Sequence, residues 1–293
     1  MENIMNKPRK IDLFIRSAIK NHTSFRCPKC RLKMTVKEKS LSCENSHSFN
    51  ISKKGYVNLL LSAHDSIYSK ALFEARRKTT EAGVFDPIIN AVADMINDDH
   101  LSEKISILDA GCGEGSISSK IYSHLNFKEV EFHGIDISKE GIALAGNCEL
   151  PILWSVGDLS ILPYQDHIFD LVLNILSPSN YSEFFRVMKK NALIIKIVPG
   201  TDYLREFRDI LFAGSNKASY SNERVKSLFK NNVYEFNSQR ICYTFSPDER
   251  QLQNLIDMTP LLIDRSPDAK EVEKLKKIQA ISLDYEILTG RKA

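Results

Sequence analysis

No apolar run in this 293-residue sequence approaches the roughly 18–20 residues needed to cross a bilayer, and aliphatic stretches such as Leu59–Leu61 are short. Met1–Lys20 carries charge throughout and lacks the apolar block of a secretory signal. No internal repeat or low-complexity segment is present. At 43% hydrophobic and 26% charged, the composition excludes a disordered tail, a collagen-like fibre and a small disulfide scaffold. The expectation is a soluble, cytoplasmic protein with one large domain, or a medium domain with an appendage.

A net charge of +3 hides an asymmetry, because residues 1–60 hold 13 Lys/Arg against 4 Asp/Glu, a local +9 that leaves −6 for the rest. Such a basic front end suits a polyanion, nucleic acid above all, or is simply a solvated surface. Three of the six cysteines, Cys27, Cys30 and Cys43, fall in one short segment. Without a secretory signal, that clustering reads as metal binding rather than disulfides.

Ile11, Phe14, Ile15, Ala18 and Ile19 follow the spacing of an amphipathic helix. The cysteine segment, about 23–55, is short of large apolar residues and needs a staple to fold. A helix is predicted over about 70–82, stopped at Gly83, and another opens at Asp86-Pro87 with Asp86 as N-cap. Strand and helix then alternate: strand at Ile105–Asp109, turn at Gly111–Gly115, helix at Ser116–Ser123, strand at Val130–Ile135, helix at about Ser138–Ala145. Three more strands are read at Ile152–Val156, Phe169–Ile175 and Leu193–Val198. This alternation predicts an α/β fold with an open, mostly parallel sheet and helices on both faces. The stretch 201–240 reads as mostly helical and charged, with a late strand over Ile278–Leu288.

Cys27-x2-Cys30-x12-Cys43-x3-His47 supplies three thiolates and one imidazole, the full tetrahedral set of a structural zinc site. Arg26, Lys29, Arg31, Lys33, Lys37, Lys39, Lys53 and Lys54 surround it, with Phe25, Phe49 and Tyr56 interleaved. Basic groups on phosphates and aromatics stacked on unpaired bases would suit RNA, while a zinc unit that only braces the main domain is the alternative.

Asp109-Ala110-Gly111-Cys112-Gly113-Glu114-Gly115 joins a predicted strand to a predicted helix. A glycine loop alone also fits a dinucleotide. Asp136, ending the next strand, can take both hydroxyls of a ribose, and Asp158, after the third, can reach an adenine amino group. No Walker lysine follows the glycines, which argues against a P-loop.

The glycine loop, Asp136, Gly157-Asp158 and Leu162-Pro163-Tyr164 with Asp166 resemble class I S-adenosylmethionine methyltransferases. The zinc ligands, Lys54–Leu59, Ala75-Arg76-Arg77, Ala82–Phe85, Ser177-Pro178, Pro199-Gly200 and Met258-Thr259-Pro260 extend the likeness to the RlmA family of 23S rRNA (guanine-N1)-methyltransferases. The run Ser177–Tyr181 is closer to its Gram-positive, tylosin-resistance-associated branch. The resemblance implies a Rossmann-like methyltransferase domain over 61–293, a zinc-finger domain over 23–60 and an N-terminal extension over 1–22. It further implies a homodimer that makes 1-methylguanosine in a 23S rRNA hairpin loop of the peptide exit tunnel, with an effect on macrolide and ketolide sensitivity.

Carried over residue by residue, Cys27, Cys30, Cys43 and His47 would hold zinc, and Gly113 and Glu114 match the cofactor-contacting turn. Phe85 stands where relatives often have a cofactor-side tyrosine, Tyr203 where they have a histidine, and Asn191 replaces a glycine turn. The cofactor set is thus Phe85, Asp109, Gly111, Gly113, Glu114, Gly115, Asp136, Asp158 and Tyr203. Guanine N1 carries a proton that must leave before attack. Asn174 can hydrogen-bond a guanine but cannot take that proton. Arg76 and Arg77 could stabilise an O6 oxyanion, bind phosphate or be surface arginines, and no residue is assigned as the base. A non-catalytic zinc-finger RNA-binding protein that senses S-adenosylmethionine is the alternative from another class.

Overall fold

The computed structural model describes residues 8–21, 23–62, 68–99, 103–215, 219–263 and 265–292. Of the extension expected over 1–22, residues 1–7 and 22 lie outside the described residues. No helix among the described residues is long and apolar enough to cross a membrane.

The chain opens with α1 (Lys10–Lys20), whose Ile11, Phe14 and Ala18 are buried while Ile19 faces solvent, so the apolar stripe is narrower than its spacing suggests. The strands β1 (Met34–Lys37), β2 (Ser40–Cys43) and β3 (Ser48–Asn50) make a small antiparallel sheet of their own. Next, β4 (Tyr56–Asn58) leaves that unit and pairs in parallel with β7 (Ile152–Val156), as Tyr56 opposite Trp154. The large sheet therefore recruits a strand from within the expected zinc-finger segment.

Ser69 caps α2 (Lys70–Glu81), its hydroxyl accepting the Leu72 N–H at 3.2 Å. Gly83, at φ +83°, separates it from α3 (Asp86–Asp98). Asp86 is not the N-cap as expected: Phe85 is, and the Asp86 carboxylate instead takes the Lys120 ammonium at 2.6 Å. The alternation beyond follows the predicted order: β5 (Lys104–Ala110), α4 (Ser116–Ser123), β6 (Glu129–Asp136), α5 (Lys139–Ala145), β7, β8 (Phe169–Ile175), α6 (Tyr181–Val187) and β9 (Met188–Pro199). Then come α7 (Arg205–Leu211), α8 (Glu223–Asn232), β10 (Tyr234–Phe245), α9 (Glu249–Met258), α10 (Ala269–Leu275) and β11 (Ile281–Arg291).

The stretch read as helical through residue 240 thus ends in a strand. In β10 Phe236 packs into one core and Ile241, Tyr243 and Phe245 into the other, so the period-2 alternation changes face within the strand and is hard to read locally. Asn191, in the place of a glycine turn, sits at φ +60°, a left-handed conformation asparagine tolerates.

The large sheet runs β10-β11-β9-β8-β5-β6-β7-β4, with β11 antiparallel to both neighbours and the strands from β9 to β4 parallel. Chain order reverses between β5 and β8, and the crevice beyond the C-terminal ends of strands at such a switch point is where open α/β sheets bind ligands. Successive strand residues alternate between two cores. Ile105, Ile107, Leu171 and Leu173 pack with α3, α4, α7 and α9, whereas Leu108, Ala110, Val172 and Ile194 pack with α1, α6, α8 and the small sheet.

Candidate active site and zinc ribbon

The glycine loop lies at the switch point between β5 and α4. The N–H groups of Gly111 and Cys112 both donate to the Ile135 carbonyl, at 2.8 and 3.0 Å, which pins the loop to β6. Gly111, Gly113 and Gly115 have φ of +89°, +58° and +76°. A Cβ on Gly111 would fall 1.9 Å from Ser177 Oγ, and one on Gly115 2.6 Å from the Trp154 ring. Trp154 is thereby a packing residue. Above Gly113 the nearest atoms to such a Cβ are Arg76 Nη1 at 3.5 Å and Phe73 at 3.6 Å, so the side chains of α2 pack over this turn.

Asp136 ends β6. Its carboxylate accepts the Gly113 N–H at 2.9 Å and the Ser138 N–H at 2.8 Å, so it shapes the loop as well as edging the crevice. Burial pushes its pKa up, against those two N–H groups and the Arg76 charge. These residues fit S-adenosylmethionine: three glycines at positive φ present backbone in the loop, and a carboxylate stands at the end of the neighbouring strand. Asp158, half-buried after β7, accepts the Ser160 N–H at 2.7 Å.

Asp109 is buried beneath α4, where Ser118 donates to one oxygen at 2.5 Å and the other has no partner. Burial, with Asp136 nearby, raises its pKa to about 7, against the Ser118 hydrogen bond. The folded protein therefore keeps this carboxyl protonated up to about neutral pH, while the unfolded chain ionises near its ordinary value. As pH rises from about 4 to 7 ionisation increasingly favours unfolding. Asp109→Asn should stabilise the cofactor-free protein, with a gain that grows from pH 4 and levels above 7 at on the order of 4 kcal/mol. Thermal melts across that range decide it, and a gain independent of pH would show that the carboxyl titrates normally.

The candidate catalytic groups separate clearly. Arg77 is spent on structure: its guanidinium donates to the Glu114 carboxylate at 3.0 Å, the Glu114 carbonyl at 2.9 Å and the Leu144 carbonyl at 3.0 Å. Glu114, fully taken up by Arg77 and Ser116, offers only its backbone to a ligand. Arg76 lies over the rings of Tyr68 and Phe73, at 5.9 and 5.8 Å, with its charge felt by Asp136 and Tyr203. Asn174 is fully engaged: its amide donates to the Ala110 and Pro178 carbonyls at 2.7 and 3.0 Å, and its oxygen accepts from Ser179 and Lys196. It has nothing left for a guanine. Phe85 is buried in the core, and Tyr203 packs against Tyr285 at 5.1 Å. Lys196, unremarked in the sequence because it sits within an apolar strand, is the buried cation of this region.

In the small sheet the side chains of Cys27, Cys30, Cys43 and His47 converge, all four ligand atoms lying within 4.8 Å of one another. The closest approaches are Cys27 Sγ to His47 Nδ1 at 3.5 Å, Cys43 Sγ to the same nitrogen at 3.6 Å, and Cys30 Sγ to Cys43 Sγ at 3.6 Å. Ligand bonds of about 2.0–2.3 Å at tetrahedral angles imply separations of roughly 3.5–3.8 Å, so the donors fit zinc. Lys29, Arg31, Lys33, Lys37, Lys39, Lys53 and Lys54 are exposed around it, whereas Arg26 is paired with Asp166 at 2.9 Å.

The aromatic expectation fails for two of its three rings, and only Phe49, half-buried on β3, stays partly open to solvent. Phe25 and Tyr56 are buried and cannot stack on bases, because Phe25 is drawn into a cluster with Tyr164 and His133 at 5.3 Å each and Tyr56 into the large sheet. The small sheet is docked, not tethered. Arg26 N–H donates to the Pro163 carbonyl, Gln165 N–H to the Ser24 carbonyl, and Ser24 and His133 both bond the buried Glu131.

A family model described as "RlmA, N-terminal" matches residues 25–65, and one described as "Methyltransferase domain" matches 101–232. The Bacillus subtilis protein named "Putative 23S rRNA (guanine-N(1)-)-methyltransferase YxjB" is 39% identical over 92% of this chain and 97% of its own length. The Streptomyces fradiae 23S rRNA (guanine(748)-N(1))-methyltransferase is 24% identical, over 88% of this chain and 93% of its own. The solved structure of YcgJ from Bacillus subtilis covers 70% of this chain and 97% of its own at 13% identity, with a TM-score of 0.46. With a zinc ribbon ahead of an S-adenosylmethionine-dependent methyltransferase domain, and with 39% identity to YxjB over nearly its whole length, the chain belongs to the RlmA family of 23S rRNA (guanine-N1)-methyltransferases.

Proposed function

We propose that this enzyme methylates N1 of a guanine in a 23S rRNA hairpin loop lining the peptide exit tunnel, giving 1-methylguanosine and altering macrolide and ketolide sensitivity, and that it works as a homodimer. The observation that carries the reading is the docking of the basic, Cys3His ribbon onto the same sheet whose switch point holds the glycine loop. Phosphate-binding lysines and a methyl-donor crevice then belong to one packed unit. The relatives' names supply the target atom.

In this reading Cys27, Cys30, Cys43 and His47 hold the zinc. The backbone of Gly111–Gly115 carries the cofactor, with Asp136 on the ribose and Asp158 towards the adenine. Phe85 and Tyr203 wall the far side. When bound, S-adenosylmethionine supplies an electrophilic methyl group. The protein's own work is to hold guanine N1 in line with it, with the base out of its stack, since N1 lies on the Watson–Crick edge. Arg76, the arginine not consumed by the scaffold, places a positive charge over the loop, where it favours the guanine that has lost its N1 proton.

Labelled S-adenosylmethionine and 23S rRNA from a strain lacking this gene, followed by primer extension, test the proposal. N1 methylation stops reverse transcriptase, so a new stop at one hairpin-loop guanine is expected. Cofactor binding without incorporation into naked RNA or ribosomal subunits would overturn it.

A further inference from the structure

A polar cluster at the end of β8 has no part in the functions assigned so far. Lys196, on β9 and opposite Asn174 in register, is 3% exposed. Its ammonium donates to Asn174 Oδ1 at 2.5 Å and to the Ser177 carbonyl at 2.9 Å. Among the described residues no carboxylate forms an ion pair with it. A buried, unpaired charge opposes folding, and burial accordingly lowers its pKa to about 8. A leucine or methionine would fill this position at lower cost.

The charge has a clear local consequence. Asn174, oriented by Lys196 and Ser179, ties the Ala110 carbonyl at the end of β5 to the Pro178 carbonyl. Between them Leu176 adopts φ +51°, rare for a leucine, and is 38% exposed. Ser177 fills the volume directly over Gly111, as the 1.9 Å approach to a Cβ there shows. The strained turn is therefore one wall of the switch-point crevice, and three strand ends, β5, β8 and β9, meet in the bonds that hold it.

We propose that Lys196 is a positioning residue for methyl transfer, its buried ammonium clamping the Asn174–Pro178 turn so that Leu176 and Ser177 seat the target base against the glycine loop. This rests on the methyltransferase reading of the crevice. Lys196 touches neither reactant; it acts through the turn. The cofactor is held by the glycine loop and Asp136, which do not touch Lys196, so loss of the clamp should affect turnover more than cofactor affinity.

The test is Lys196→Met, measured for methyl transfer to unmodified 23S rRNA, for S-adenosylmethionine affinity by calorimetry and for thermal stability. Turnover should fall about 10–100-fold, as expected for misplaced reactants, with cofactor affinity within about threefold. The melting temperature should hold or rise, since the buried charge is gone. Turnover within about twofold of the parent would overturn the proposal. So would parallel losses of turnover, cofactor affinity and melting temperature, which mark a residue that only supports the fold. If Lys196→Met does not fold, Lys196→Leu, which also lacks a donor, is read by the same criteria. Absence of methyl transfer by the parent protein would instead sink the functional reading itself.

Discussion

Replacing Cys27 and Cys30 together by serine should abolish rRNA methylation while leaving S-adenosylmethionine binding within about threefold of the parent. Two of the four converging donors are lost, and zinc binding that is worth about 10–16 kcal/mol in small zinc-dependent folds goes with them. The strands β1, β2 and β3 bury little beyond Met34 and Leu41, too little to survive without the metal. Unfolding should stop at the base of the ribbon, because Phe25 is held by Tyr164 and His133, and Arg26 by Asp166. The glycine loop shares none of these contacts. Limited proteolysis should therefore cut within 28–50 and spare the main sheet. Disordering Lys29, Arg31, Lys33, Lys37 and Lys39 should weaken rRNA binding on the order of 100-fold at physiological salt. RNA affinity undiminished after zinc loss would leave the ribbon as a brace and nothing more.

Asp136→Ala should have the larger effect on the cofactor. The carboxylate is expected to accept the ribose hydroxyls, and it also holds the Gly113 and Ser138 N–H groups at 2.9 and 2.8 Å. Alanine removes the charge-assisted bonds to the ligand, on the order of 1.5–3 kcal/mol, and frees the turn that the ligand must meet. Calorimetry should show S-adenosylmethionine affinity down by about 10–100-fold or more. Asp136→Asn, which can still accept one N–H, should fall between the two. An unchanged dissociation constant would place the ribose elsewhere and leave Asp136 as a support of the loop alone.

Much of this was legible without coordinates, for a physical reason. The helix at Ser116–Ser123 and the strands at Ile152–Val156 and Phe169–Ile175 came out at their predicted bounds, since turn glycines and apolar runs are local signals. The Cys3His spacing and the glycine loop are local too, for a zinc hairpin and a strand–turn–helix each close within a few residues. By contrast, β10 is not legible locally because its apolar residues change face midway, Phe236 on one core and Ile241, Tyr243 and Phe245 on the other, a pattern that makes sense only once β11 pairs with it.

The fold class, the Cys3His cluster and the strand–glycine–helix turn are legible in short-range patterns, and the family in the order of motifs along the chain. Which polar residues are already consumed is visible only once the sheet has folded. Arg76 and Arg77 are neighbours in sequence, yet one braces Glu114 while the other stands over the loop. Phe25 looked like a base-stacking ring and is an anchor. Asn174 looked free and is saturated from four sides, by groups on β5, β9 and its own turn. Lys196 meets Asn174 across 22 residues of chain, through a strand register that no local pattern announces. Whether a side chain has hydrogen-bonding capacity left is set by partners that only the folded sheet brings together.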